Sequence, residues 1–238
     1  MIYLWYRNIF SSIPQPGECF AMKFAIFKRV LVLGAAVFCL ALCVTACSED
    51  AEALSARGKR YYDEKNFSKA VKCFRKAAEQ GHAEAQIFLG VCYDTGKGVP
   101  EDPRQAVYWY KKAAEQGHVM AQFNLGVSYY NGDGVTRDPK QAVYWYKKAA
   151  GQGLATAQNA LGLCYANGDG VTKDLKQAVY WWQKAAEQGL AEAQCNLGLC
   201  YYNGIGVTRD PEQAVYWYTK AAEQGNEDAK QALKRLGY

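Results

Sequence analysis

Tryptophan recurs at intervals of 36 residues in this chain, at Trp109, Trp145, Trp181 and Trp217. Gly90, Gly126, Gly162 and Gly198 keep the same interval, as do Tyr93, Tyr129, Tyr165 and Tyr201. A period of this length marks a supersecondary unit repeated in tandem, and it constrains the fold more tightly than composition does. The full copies are residues 82–117, 118–153, 154–189 and 190–225. A shorter unit, 51–81, precedes them and ends in the same Lys76-Ala77-Ala78-Glu79-Gln80-Gly81, and a half copy, 226–238, follows. No single unit has enough to bury, so stability must come from stacking neighbours.

Each copy reads as two helices. In the first full copy Ala83, Gln86, Leu89, Gly90 and Tyr93 fall at helical spacing, which predicts a helix over about 83–94. Glycine inside a helix costs about 1 kcal/mol against alanine. Its presence at the same place in every full copy implies a close helix–helix crossing there. Gly96-Lys97-Gly98-Val99 then breaks the helix. Asp102-Pro103-Arg104-Gln105 starts the second one, with Asp at N-cap, Pro at N1 and Gln at N3 as in a capping box. The start recurs at Asp138-Pro139 and Asp210-Pro211, while Asp174-Leu175 keeps the cap alone. Ala106, Trp109 and Ala113 form the apolar stripe, and Gly117 ends the helix at C′. Residues 228–237, with Lys230, Lys234 and Arg235 on a polar face, predict a capping helix that ends the stack. The fold class is all-α.

The pattern Ala-x-Ala-Gln-x-x-Leu-Gly-x-x-Tyr-x-x-Gly-x-Gly-Val-x-x-Asp-x-x-x-Ala-x-x-Trp-x-x-Lys-Ala-Ala-x-Gln-Gly runs from Ala83 to Gly117 and is nearly complete in all four copies. It resembles the Sel-one-like repeat, a relative of the tetratricopeptide repeat. The resemblance implies a right-handed α-solenoid of stacked antiparallel helix pairs. It also implies protein–protein interaction along a concave groove, as an adaptor or scaffold. Residues 51–81 lack the Gly-x-Gly-Val insertion and have Cys73 in place of the tryptophan, and so resemble a plain tetratricopeptide unit acting as N-terminal cap.

The N-terminus is a different kind of sequence. Lys23, Lys28 and Arg29 precede an apolar run, 30–46, and polar Ser48-Glu49-Asp50 follow. These are the parts of an export signal. Met22 stands where such a signal begins, so 1–21 is expected to be an upstream extension and 22–46 the signal peptide. Val44-Thr45-Ala46-Cys47 resembles a bacterial lipobox. That resemblance implies lipidation at Cys47, a short linker over 47–50, and Ser48 as a mark of the outer-membrane class. The alternative is an uncleaved signal anchor, since 17 apolar residues can only just span a bilayer. Both place the repeats outside the cytoplasm, in the periplasm or at the cell surface.

The formal charge of +5 is concentrated upstream, where residues 1–46 hold four basic residues against one acidic. Residues 47–238 carry 24 basic against 22 acidic. That balance shows no clustered basic face, and no nucleic acid is expected as partner. Cys73, Cys92, Cys164, Cys195 and Cys200 remain after the signal. Cys92, Cys164 and Cys200 share one repeat position with Ser128, which predicts a small packing slot and neither disulfide framework nor metal site. His82 and His118 share another framework position. No serine stands three residues before a lysine after Cys47, so the nucleophile arrangement of penicillin-recognising enzymes is missing. Gly132-Asp133-Gly134 lacks the strand and the G-K-[ST] of a phosphate loop. No catalytic residue, cofactor or small-molecule substrate is expected.

Positions that vary between otherwise fixed copies are released from packing and available to a ligand. On the first helices these are Glu84, Met120 and Glu192, then Ile87, Phe123 and Asn159, then Val91, Val127, Leu163 and Leu199. Tyr130, Tyr202, Asn131, Asn167 and Asn203 continue the stripe. By resemblance to tetratricopeptide proteins this row lines the concave groove and takes a protein or peptide segment. Tyr108, Tyr144, Tyr180 and Tyr216 on the second helices do not vary and are assigned to the scaffold. The expected function is a non-enzymatic, lipid-anchored binding scaffold. By resemblance to periplasmic relatives, an alternative is an immunity protein against a secreted toxin such as a phospholipase. A hydrolase of β-lactams or cell wall is a further alternative without a visible nucleophile.

Overall fold

The computed structural model describes residues 49–238; the expected signal peptide and Cys47 lie outside them. Among the described residues every regular element is a helix. Five pairs are formed by α1 (Ala51–Asp63) and α2 (Phe67–Glu79), α3 (Ala83–Thr95) and α4 (Pro103–Glu115), α5 (Val119–Asn131) and α6 (Pro139–Gly151), α7 (Ala155–Asn167) and α8 (Leu175–Glu187), and α9 (Ala191–Asn203) and α10 (Pro211–Glu223). A final helix, α11 (Glu227–Leu236), closes the stack where the half copy predicts it. Each paired helix has 13 residues, about 20 Å of rise. Each helix packs on the one before it and the one after it, giving an α-solenoid of stacked antiparallel hairpins.

The helix ends follow local chemistry, with one departure. Asp102 Oδ1 accepts from the backbone N–H groups of Arg104 at 3.0 Å and Gln105 at 3.1 Å, and the other three copies repeat the pair. The reciprocal half of a capping box is replaced. The Asp102 N–H donates to the Tyr93 carbonyl of the preceding helix at 2.9 Å, so the cap also fastens the hairpin. At the other end the N–H groups of Gly117 and His118 donate to Ala114 and Ala113, a Schellman closure with Gly117 at φ 91°. Between the helices Gly134 has φ 68°, and a Cβ there would run into the Pro103 carbonyl that opens the previous second helix. The Gly-x-Gly loop is thus a contact between repeats as well as a turn. The α1–α2 connection, residues 64–66, lacks it and is shorter.

The invariant helical glycines sit under aromatic rings. A Cβ on Gly126 would lie 2.6 Å from the Tyr146 ring, and Gly90, Gly162 and Gly198 stand in the same way under Tyr110, Trp182 and Tyr218. Each ring comes from the second helix of the same pair, twenty positions on. In the first unit Phe74 fills this place over Gly58, sixteen positions on because the loop is shorter. The repeated tryptophans work between pairs instead. Trp109 packs into the cluster of Leu54, Val71, Phe74 and Leu89, and Trp145 into that of Ala106, Tyr110 and Leu125.

A buried amide chain joins the same levels. Gln122 Nε2 donates to the Ala114 carbonyl of the preceding pair at 3.2 Å, while its Oε1 accepts from Gln152 Nε2 at 2.8 Å. Gln86 and Gln116, Gln158 and Gln188, and Gln194 and Gln224 repeat the arrangement. The polar residues of the motif thereby satisfy helix-end carbonyls that burial would otherwise orphan.

Candidate functional site on the first helices

Because every first helix turns its Ala-Gln-Leu-Gly side toward its partner, the opposite side is left for other contacts. It opens progressively from the first full copy to the last. Glu84 is half-buried and paired with Lys59 of α1. Ile87 departs from expectation: at 8% exposure it lies among Ala106, Tyr110 and Ala113, and belongs to the core rather than to a groove. The same cluster takes in Ala121 and Leu125 of the next pair, so the apolar side chain is enclosed by both pairs. Val91 is half-buried against the same cluster.

Next along the stack, Met120 is 41% exposed. Phe123 is half-buried, its ring tilted against Tyr146 at 5.9 Å. Val127 is half-buried beside it. The Tyr130 hydroxyl donates to Asp169 of the following copy at 2.9 Å, and Arg137 Nε donates to the Tyr130 carbonyl at 3.0 Å. Phe123 and Tyr130 thus hold the stack together while facing its free side. Asn131 and Asn167 bond to Asp133 and Asp169 within their own loops.

The last two copies carry the open part. Leu163 is 42%, Leu199 48% and Tyr202 36% exposed, with Glu192 and Asn203 exposed near them. Asn159 accepts from Asn196 Nδ2 at 3.2 Å, so neighbouring first helices present one continuous surface. Next to Leu199 a hollow of about 380 Å³ is lined by Cys195, Asn196, Tyr202, Tyr218, Asp228 and Arg235. Asn196 could have been found in the sequence, since its position varies as Phe88, Asn124, Ala160 and Asn196. Asp228 and Arg235 could have been found in the same way, since in the half copy they stand 36 residues after Glu192 and Leu199.

The titratable groups around this surface are held in their ordinary protonated forms by burial. Burial pushes the thiols of Cys92, Cys164 and Cys200 up to about 11, and desolvation followed by the Asp228 charge raises Cys195. All four stay protonated near neutrality, unlike a reactive thiolate. The Tyr218 hydroxyl at the floor is pushed up to about 12 by burial. His82 caps α3, its Nδ1 accepting from Ala85 N–H at 3.2 Å while Nε2 meets Glu52 at 2.8 Å. His118 holds the same place on α5, and burial lowers its pKa.

The second helices carry the tyrosines assigned to the scaffold. Tyr108, Tyr144, Tyr180 and Tyr216 recur unchanged yet are 46–49% exposed. Each ring stands edge-on to the following tryptophan at 4.9–5.0 Å.

Against known families, the Sel1 repeat pattern matches at residues 51–82, 83–118, 119–154, 155–190 and 191–226. The chain belongs to the Sel1 repeat family. The match includes the shorter first unit, so five repeats are counted. Among solved structures, this Sel1 repeat chain is 42% identical, with a TM-score of 0.77, to a protective antigen of uropathogenic Escherichia coli displaying an SLR fold. That likeness covers 82% of this chain and 43% of the antigen, so the chain spans less than half of that protein's length. A Sel1 repeat protein from Oxalobacter formigenes is 39% identical with a TM-score of 0.69, over 74% of this chain and 72% of the other. YrrB, a tetratricopeptide protein with an unusual peptide-binding site, shares the fold at 21% identity and a TM-score of 0.52, covering 82% and 97%. No curated protein matches the chain. The Sel1 repeat architecture is a scaffold suited to protein interaction.

Proposed function

We propose that this Sel1 repeat chain is an exported, lipid-anchored, non-catalytic scaffold that captures a protein segment on the free side of its first helices. The observation that carries the reading is the exposed row Met120, Leu163, Leu199 and Tyr202. These side chains vary between copies while the helices beneath them do not, and they lead into the hollow beside α11. Large apolar side chains left in water along a rigid surface, rimmed by Asn159, Asn196 and Asn203, suit an extended or helical peptide. The anchor rests on the sequence around Cys47 and places the scaffold in the periplasm or at the outer membrane.

The test uses the exposed positions, because Phe123 and Tyr130 also hold the stack. Partners are first crosslinked to the intact chain in cells and identified, and affinity is then measured with the purified partner. Replacing Leu163, Leu199 and Tyr202 with alanine is expected to weaken binding at least tenfold, about 1.4 kcal/mol or more, with the unfolding midpoint little changed. Unchanged affinity would overturn the assignment of this face. Metabolic labelling with a palmitate analogue tests the anchor, and label that persists in Cys47→Ser would refute it.

A further inference from the structure

The near balance of charge over residues 47–238 conceals a segregation that only the fold reveals. The five second helices carry thirteen Lys and Arg against five Asp and Glu, while the rest of residues 50–238 carries eleven against sixteen. The excess lies on the first three of these helices and is lost by the last. On α2, Lys69, Lys72, Arg75 and Lys76 are exposed with Glu79 the sole acid, and α6 exposes Lys140, Lys147 and Lys148 with no acid at all. By α10 the sign has reversed, with Lys220 against Glu212 and Glu223. The exposed tyrosines lie on this same side. Lys112, Lys148 and Lys184 lay their ammonium groups 4.8–5.0 Å over Tyr108, Tyr144 and Tyr180.

We propose that the exposed side of α2, α4, α6 and α8 rests on an anionic lipid surface, turning the first-helix face toward soluble partners. The proposal builds on the anchoring at Cys47. Three features favour a bilayer over an acidic protein or a polynucleotide. Ten of the twelve basic residues on these four helices are lysines, point charges suited to diffuse headgroup attraction rather than to the forked recognition of carboxylate or phosphate that arginine provides. Tyrosine beside lysine is the pairing found at membrane interfaces, ring toward the acyl boundary and charge toward the headgroups. The net charge is also high on the three of these helices nearer Cys47 along the chain, at +3, +2 and +3 on α2, α4 and α6, and falls to +1 on α8. Three residues separate Cys47 from Ala51, at most roughly 14 Å between the two when extended. That is the greatest reach of the tether and under two Debye lengths of about 8 Å each, so the tether lets the first pair come within range of the surface potential.

The experiment is lysine acetylation read by mass spectrometry on the full chain, reconstituted into vesicles of phosphatidylcholine alone or with phosphatidylglycerol. Lys72, Lys112 and Lys148 are expected to react several-fold more slowly on the anionic vesicles only, while Lys59 and Lys234 do not change. The protection should vanish in 1 M salt, where the Debye length is about 3 Å. Replacing Lys111, Lys112, Lys147 and Lys148 together with glutamine should remove protection at Lys72 and Lys184 without altering the far-UV spectrum. Equal reactivity on both vesicle types overturns the proposal. So does protection by an acidic peptide or RNA with none on anionic vesicles. Failure of the anchor reads differently: the chain leaves neutral vesicles in high salt, and the face is then judged by salt-sensitive flotation with anionic ones.

Discussion

Replacing Gly126 with alanine sets two effects of known sign against each other. Alanine is the better helix former by about 1 kcal/mol, so local propensity predicts a stabilised α5. The new methyl, however, would lie 2.6 Å from one carbon of the Tyr146 ring and 2.7 Å from the next, closer than real Cβ contacts come. Tyr146 is buried and cannot swing into solvent, and the Ala142 carbonyl, one turn earlier on the same helix, stands 3.4 Å away. Overpacking costs about 1–3 kcal/mol, a contact this close into a buried ring falls in the upper part of that range at about 2–3, and with the helix gain subtracted the net loss is about 1–2 kcal/mol. For a unit of this size each kcal/mol lowers the midpoint by about 2–4 °C. Gly151→Ala is the matched control, because nothing lies within 4 Å of its Cβ and the site is exposed. It should gain a few tenths of a kcal/mol. Urea and thermal unfolding followed by circular dichroism measure both, and a cycle with Tyr146→Ala adds the decisive comparison. Removal of the ring leaves room for the methyl, so the double variant should lose less than the two singles combined. If Gly126→Ala is as stable as the parent, or its effect adds independently to Tyr146→Ala, the close crossing is not the reason for glycine.

Two further outcomes follow from buried polar groups. Gln122→Leu leaves the Ala114 carbonyl and the Gln152 amide without their partner, so urea unfolding should show a loss of about 1–3 kcal/mol, whereas Gln141→Ala on the exposed side of α6 should be near neutral. Cys92, Cys164 and Cys200 titrate at about 11 when folded against 9.0 for a free thiol, so the folded state holds its protons more tightly. Their contribution is complete below pH 9 and is lost as pH rises toward 11. In reducing buffer the urea midpoint should therefore fall across that window, and the triple replacement by serine, the residue at position 128, should flatten the slope.

The repeat, the two helices of each copy and nearly all of their ends were legible in the chain itself. Asp102, Pro103, Gly117 and Gly96 act on backbone within a few residues of themselves, and such local chemistry needs no knowledge of the fold. The close crossing at Gly90 and its counterparts was legible as well, though its partner was not. Tyr110 reads like its neighbours Tyr108 and Trp109, and only stacking decides that Tyr110 covers the glycine, Trp109 joins two pairs and Tyr108 stays in water. Variation between copies marked the side of the first helices turned from their partners, yet could not separate Ile87, drawn into the core, from Leu199, left outside.

Charge behaved in the same way. Counted along the sequence it is nearly balanced, yet the second helices collect basic residues while most acids outside them lie in the loops and caps. Sequence determined the unit and its period because those depend on neighbours along the chain. Tertiary structure decided which surface is apolar, which is basic and where a hollow opens, because those depend on residues from different repeats meeting in space.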